Sequence, residues 1–172
     1  MTKGLTTALA ALSLSASVAA AQTSNPLELG IDAGVTIGLG DNSVTEVNIP
    51  AQAFRVGFVM SPRVSIEPKL GLTIISGDGD TFSSYRGEVG LLYHLARTGM
   101  RSGTYVRPFV GLTGFSGGTA DETHGLIGAG VGLKVPLRDR IGSRFEANFA
   151  HTFGDGSFNQ IGLLAGLSFF TR

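Results

Sequence analysis

The chain has 172 residues and carries 13 Lys and Arg against 13 Asp and Glu, a balance that excludes a nucleic-acid binder recruited by bulk charge. It contains no cysteine, so an exported protein of this kind must hold itself together by pairing and packing rather than by disulfides. Glycine, at 26 residues, is about twice its average usage, and mean hydropathy is +0.25, high for a small domain with a polar surface.

The first element in chain order is not part of the fold. Lys3 supplies a positive start, Leu5 to Ala16 form a mostly apolar run, and Val18-Ala19-Ala20-Ala21 offers the small residues of a cleavage site. This pattern predicts a secretory signal over residues 1–21, cleaved before Gln22, with one domain over residues 22–172. Only Lys3 is charged in that segment, so the remainder carries 12 basic and 13 acidic residues. No apolar run after residue 22 reaches the roughly 18 residues of a spanning helix.

From residue 27 the chain alternates. In LELGIDAGVTIGL (27–39) Leu27, Leu29, Ile31, Ala33, Val35, Ile37 and Leu39 oppose Glu28, Gly30, Asp32, Gly34, Thr36 and Gly38. A period of two predicts a strand with one apolar and one polar face. The same alternation returns at 52–60, 64–74, 85–96, 106–113, 127–135, 144–153 and 160–170, giving eight strands. Eleven charges fall inside them: Glu28, Asp32, Arg55, Glu67, Lys69, Arg86, Glu88, Arg107, Lys134, Arg144 and Glu146. All sit opposite the apolar side chains. EPKLGLT (67–73) and RPFVGLT (107–113) share Pro, Gly, Leu and Thr at an offset of 40 residues, which suggests equivalent places for strands three and five in a repeated hairpin layout.

The connections alternate too. Long polar loops are expected after strands one, three and five (GDNSVTEVN, SGDGDTFSS, GFSGGTADETH), and a shorter GDGS after strand seven. They hold seven acids (Asp41, Glu46, Asp78, Asp80, Asp121, Glu122 and Asp155) and no Lys or Arg. The other connections carry Arg63, Arg97, Arg101, Arg138 and Arg140 against Asp139 alone. One end of the molecule is therefore acidic and the other basic.

Glycine decides which face meets water. A soluble sandwich or lipocalin-type barrel would clothe its outer face in Lys, Glu and Thr. Here the charged face is shared with Gly30, Gly34, Gly38, Gly57, Gly71, Gly90, Gly111, Gly128, Gly130, Gly132, Gly162 and Gly166, which suits a cramped interior where long side chains lie down beside small ones. The polar face is expected inside and the apolar face against lipid. Backbone groups in hydrocarbon must all be paired, which permits a closed barrel of alternating strands. The prediction is an all-β, eight-stranded antiparallel up-and-down transmembrane barrel. Tyr85 and Phe153 would form one interfacial girdle, and Phe58, Tyr93, Phe145 and Phe169 the other.

At this point the chain resembles the small outer-membrane β-barrel families, through SIEPKLGL, YVRPFVGL, RFEANFAHTFG and the closing GLSFF. The resemblance implies export to a cell outer membrane of the Gram-negative type and insertion by the barrel-assembly machinery. Such barrels typically end on an aromatic read by that machinery, whereas Thr171 and Arg172 follow Phe170 here. It further implies contact with outer-membrane lipid and lipopolysaccharide, both termini on the periplasmic side, and a monomer.

Three function classes compete. The interior charges Asp32, Arg55, Glu67, Lys69, Arg86, Glu88, Arg107, Lys134, Arg144 and Glu146, with Glu28, are expected to pair as a polar plug, leaving a structural or surface-interaction role. A narrow porin-like path through those pairs is the alternative. A third reading comes from lipid A deacylases that resemble this chain, which use a His, a Ser two residues on and a later Glu. His151 occupies a comparable place, but Phe153 stands where the Ser should be and no acid follows Asp155, so no hydrolytic site is expected. His94 is expected inside and His124 in a loop. The scattered histidines make no metal site, and no cofactor is expected.

Overall fold

The structure, a computed structural model, describes residues 27–39, 45–77, 80–95, 102–117, 120–154 and 157–171. The expected signal segment lies outside the described residues. Eight strands follow one another: β1 (Leu27–Leu39), β2 (Thr45–Ser61), β3 (Val64–Gly77), β4 (Asp80–His94), β5 (Gly103–Gly117), β6 (Ala120–Arg138), β7 (Ile141–Phe153) and β8 (Phe158–Phe170). Each pairs antiparallel with its sequence neighbour, and β8 returns to pair with β1, so the sheet closes into a barrel. The fold class is the one the alternation predicts. A 13-residue strand is about 43 Å long. Tilted by about 40°, it rises about 33 Å, enough to cross a hydrocarbon core of about 30 Å.

Five strands are longer than the alternation suggests, because they run on into the segments read as acidic loops. TEVNIP belongs to β2, SG (76–77) to β3, DTFSS to β4, GFSG to β5 and ADETH to β6. What separates the paired hairpins is residues 40–44, 78–79, 118–119 and 154–157. Period-two sorting is enforced only where one face meets lipid; beyond the bilayer both faces meet water, so the strands continue without announcing it.

Of three register shifts in the described ladders, the largest lies between β1 and β2. Asp32 pairs with Ala53 and Gly34 with Asn48, so four residues of β2 stand opposite Ala33 alone. Pro50 is among them, and it has no N–H to give to a ladder.

The two faces sort by chemistry in the sense opposite to a soluble protein. Leu72, Val110, Val131 and Leu163 on the outer wall are each more than half exposed, while Arg55 and Arg107 are wholly buried. In water that outer wall would be penalised at about 25 cal/mol per Å². In hydrocarbon it is at home. The exposed outward aromatics are Tyr93, Phe145 and Phe169 toward the end where the termini lie, Phe153 toward the other, and Phe54 and Phe149 between them.

The seam uses the residue that follows the last aromatic pair. The Leu27 N–H donates to Thr171 Oγ1 at 2.8 Å, and the Thr171 N–H donates to the Leu27 carbonyl at 2.9 Å. Phe170 turns into the barrel and Phe169 points out, so the outward aromatic at the chain end is Phe169. Replacing Thr171 with Val removes the hydroxyl acceptor and is expected to lower stability by about 1 kcal/mol, read as a lower urea midpoint for the barrel in lipid vesicles.

Candidate functional site

The interior is built on a cross-strand rule. Glu28 stands opposite Gly57, Arg55 opposite Gly30, Glu67 opposite Gly90, Glu88 opposite Gly111, Arg107 opposite Gly130, Glu146 opposite Gly132 and Arg144 opposite Gly166. A long side chain entering a narrow barrel has to lie down, and a glycine across the ladder gives it the room. A Cβ on Gly30 would run into the Arg55 guanidinium. One on Gly90 would come 2.9 Å from Arg107 Nη1, and one on Gly130 3.0 Å from Glu146 Oε1. Aromatics use the same device: Tyr105 lies over Gly132 and Phe109 over Gly128 inside, and Phe153 over Gly125 and Tyr85 over Gly114 outside.

The charges in that space form a closed circuit. Arg55 meets Asp32 at 3.0 Å, Glu28 at 2.6 Å and Glu67 at 3.5 Å. Glu67 takes Arg144 at 2.6 Å, and Arg144 pairs with Glu146. Glu146 takes Arg107 at 2.7 Å, and Arg107 reaches Glu88 at 3.3 Å. Lys69 spans Glu88 at 3.9 Å and Asp32 at 3.1 Å, which returns the path to Arg55. Four acids and four bases thus alternate around the ring. Lys134 pairs with Glu28, and Arg86 joins Glu88 at 3.4 Å. Ten of these eleven side chains are buried; Arg86, at 30% exposed, is the surplus cation at the edge. Taking ions out of water is tolerable only when each finds partners of opposite sign.

Neutral groups brace the ring. The Tyr105 hydroxyl donates to Glu146 Oε2 at 2.8 Å and accepts from Arg144 Nε at 2.5 Å, and its ring lies 4.8 Å below the Arg144 guanidinium. Ser168 Oγ accepts from Arg55 Nη2 and donates to Glu28 Oε1, both at 2.7 Å. Arg107 stacks over Phe109 at 4.4 Å. Phe109, Leu126 and Ala150 form a buried apolar cluster, and on β5, β6 and β7 each lies farther from the termini end than the ring residues of its own strand. Sequence reading missed Tyr105, which falls one residue before the alternating stretch read from Val106, although it shares the face of Arg107 two residues on. It also missed Leu92, Leu126 and Ala150, because apolar residues on a polar face carry no signal of their own.

The histidines separate. His94 is buried inside, with Nε2 3.4 Å from Ser65 Oγ. His124 is not a loop residue: it lies on β6, facing in, with Nε2 3.2 Å from Glu122 Oε2. The extension of β6 past the hydrocarbon explains the difference. His151 faces out and holds Asn159, Nδ1 to Oδ1 at 2.9 Å, with the ring of Phe153 beside it on the strand rather than a nucleophile. No group of three or more metal-ligating side chains occurs among the described residues. Of the acids read as the loop end, Glu46, Asp80, Asp121 and Glu122 are on strands, and Asp41, Asp78 and Asp155 lie outside the described residues, as do Arg97 and Arg101 of the other end.

A closed, lipid-clad barrel with a charged interior can be set beside known proteins. The model of the outer membrane protein beta-barrel domain matches residues 6–169. The chain belongs to that family. Comparison with curated proteins gave no match. Among solved structures, Neisserial surface protein A matches at a TM-score of 0.65 with 12% identity, over 84% of this chain and 98% of that one. Ail, the attachment invasion locus protein of Yersinia pestis, matches at 0.52 with 12% identity, over 87% and 100%. Its complex with the heparin analogue sucrose octasulfate matches at 0.51 with 11% identity, over 85% and 98%. At these identities the likeness is one of fold. This member of the outer-membrane barrel family keeps the architecture while sharing few residues with those barrels.

Proposed function

We propose that this outer-membrane barrel is a non-conducting wall element that presents its acidic end to a partner outside the cell. Residues 1–21 direct export and are removed, the barrel-assembly machinery inserts the chain, and the termini face the periplasm. The observation that carries the reading is the interior ring. An ion crossing would have to part buried pairs whose Arg55 and Arg107 are wholly buried and pass the Phe109–Leu126–Ala150 cluster, and eight strands leave no second path.

The charge at the outer end selects the kind of partner. The strand ends and connections there hold seven acids and no Lys or Arg, so a sulfated polyanion of the kind bound in the Ail complex does not suit this chain. A cation-bearing partner does, including divalent ions held on lipopolysaccharide. No hydrolytic role is assigned to His151, which lacks a nucleophile beside it. Planar-bilayer recording of the purified barrel tests the reading: no discrete openings are expected. A steady conductance that Arg86→Gln or Glu88→Gln alters would replace it with a narrow channel.

A further inference from the structure

We propose that the outer wall across β5 to β8 and β1 holds an anionic phospholipid from the leaflet next to the termini end, with one acyl chain in a groove and the headgroup on the β6–β7 turn. The groove has a volume of about 840 Å³. Ala33, Ala165, Phe145, Leu133 and Thr104 are successive cross-strand partners, so it crosses five strands. Its floor is Ala33, Ala147 and Ala165, and apart from Thr104 the outward side chains lining it are apolar. At membrane depth only hydrocarbon or another apolar wall can fill such a trough.

The foot of the groove says which. Below Leu133 the outward side chains of β6 are Val135 and Leu137, and then comes the turn with Arg138, Asp139 and Arg140, all exposed. Leu133 and Arg138 are five residues apart, about 16 Å of strand. At a tilt of about 40° that is about 12 Å of height, within the half of a hydrocarbon core of about 30 Å that one leaflet supplies. A lipid whose phosphate meets the two guanidiniums therefore has its chain at the level of the groove. Asp139 offsets one of the two charges, and the net positive turn favours a headgroup of net negative charge. A second copy of the barrel fits less well. Two-fold packing on this face about an axis along the membrane normal would bring two such turns together at one height, like charge against like.

The test is lipid retention. The barrel is refolded in nanodiscs of phosphatidylcholine containing one-third phosphatidylglycerol, released into mild detergent, and its bound lipids are counted by native mass spectrometry. Phosphatidylglycerol is expected to be enriched over phosphatidylcholine, and Arg138→Gln and Arg140→Gln each to reduce that enrichment about fivefold. Ala165→Phe fills the groove from the lipid side and is expected to reduce retention of both lipids, while the gel shift between unheated and boiled samples shows the barrel still closed. Equal retention of the two lipids by the unaltered chain overturns the proposal. So does retention unchanged in all three variants, or a dimer that Ala165→Phe dissociates.

Discussion

Replacing Arg55 with Met is expected to lower the stability of the barrel by about 3 kcal/mol, the lower end of the range for breaking a buried ion pair by removing one partner. Arg55 is wholly buried and serves three carboxylates, Glu28, Asp32 and Glu67. Each of those keeps another cation: Lys134 for Glu28, Lys69 for Asp32 and Arg144 for Glu67. That residual pairing places the loss at the lower end rather than above it. The chain has no tryptophan, so the measurement is the urea midpoint by far-ultraviolet circular dichroism in lipid vesicles, checked by the gel shift. Adding Glu67→Gln to Arg55→Met is expected to recover part of the loss, since it removes an acid that has lost one of its two cations while Arg144 keeps Glu146, and the shortfall from additivity reports the coupling. Arg86→Gln is the control. Its side chain is partly exposed and, among the described residues, its one ion pair is with Glu88 at 3.4 Å, so less than about 1 kcal/mol is expected. Equal losses for Arg55 and Arg86 variants would mean that the ring is not a cooperative unit.

The sequence and the structure agree where the bilayer imposes a rule. Leu27 to Leu39 read as a strand with its two faces assigned, and β1 spans those same residues, because hydrocarbon on one side forces a strict period of two. The rule lapses at both ends of what it covers. At Thr123 the outer face of the hairpin no longer has an apolar side chain to present, and β6 runs on where a loop was expected. Inside, residue type gave the face of Arg55 or Glu146 but not its partner. Asp32 and Lys69 come together across β2, and Glu67 and Arg144 across the barrel, and the second contact depends on closure. The offset repeat is intelligible on the same ground. Glu67 and Arg107 begin equivalent stretches of β3 and β5 and carry opposite charges into one ring. Even so, one pairing principle was visible beforehand: glycines shared the charged face and asked for a reason.

That reason predicts a difference between two glycines that residue type alone cannot separate. Gly111→Ala is expected to destabilise the barrel by about 1–3 kcal/mol, the usual cost of overpacking, and Gly87→Ala to leave it unchanged or raise its stability by about 0.5 kcal/mol. Gly111 faces in on β5, opposite Glu88. A Cβ there would stand 2.8 Å from the Glu88 Cα and closer still to the Gly87 carbonyl oxygen. Those are backbone atoms, so relief requires the β4–β5 ladder to move, and with it the carboxylate that Arg107, Lys69 and Arg86 share. Gly87 lies one residue away on the lipid side of β4, where a Cβ would meet only Leu70 Cδ2 at 3.4 Å. There the methyl adds apolar surface to a wall already facing hydrocarbon and narrows the unfolded ensemble. If both substitutions shift the urea midpoint alike, the glycines serve strand flexibility in general. If only Gly111→Ala lowers it, they are the space into which the charged interior folds.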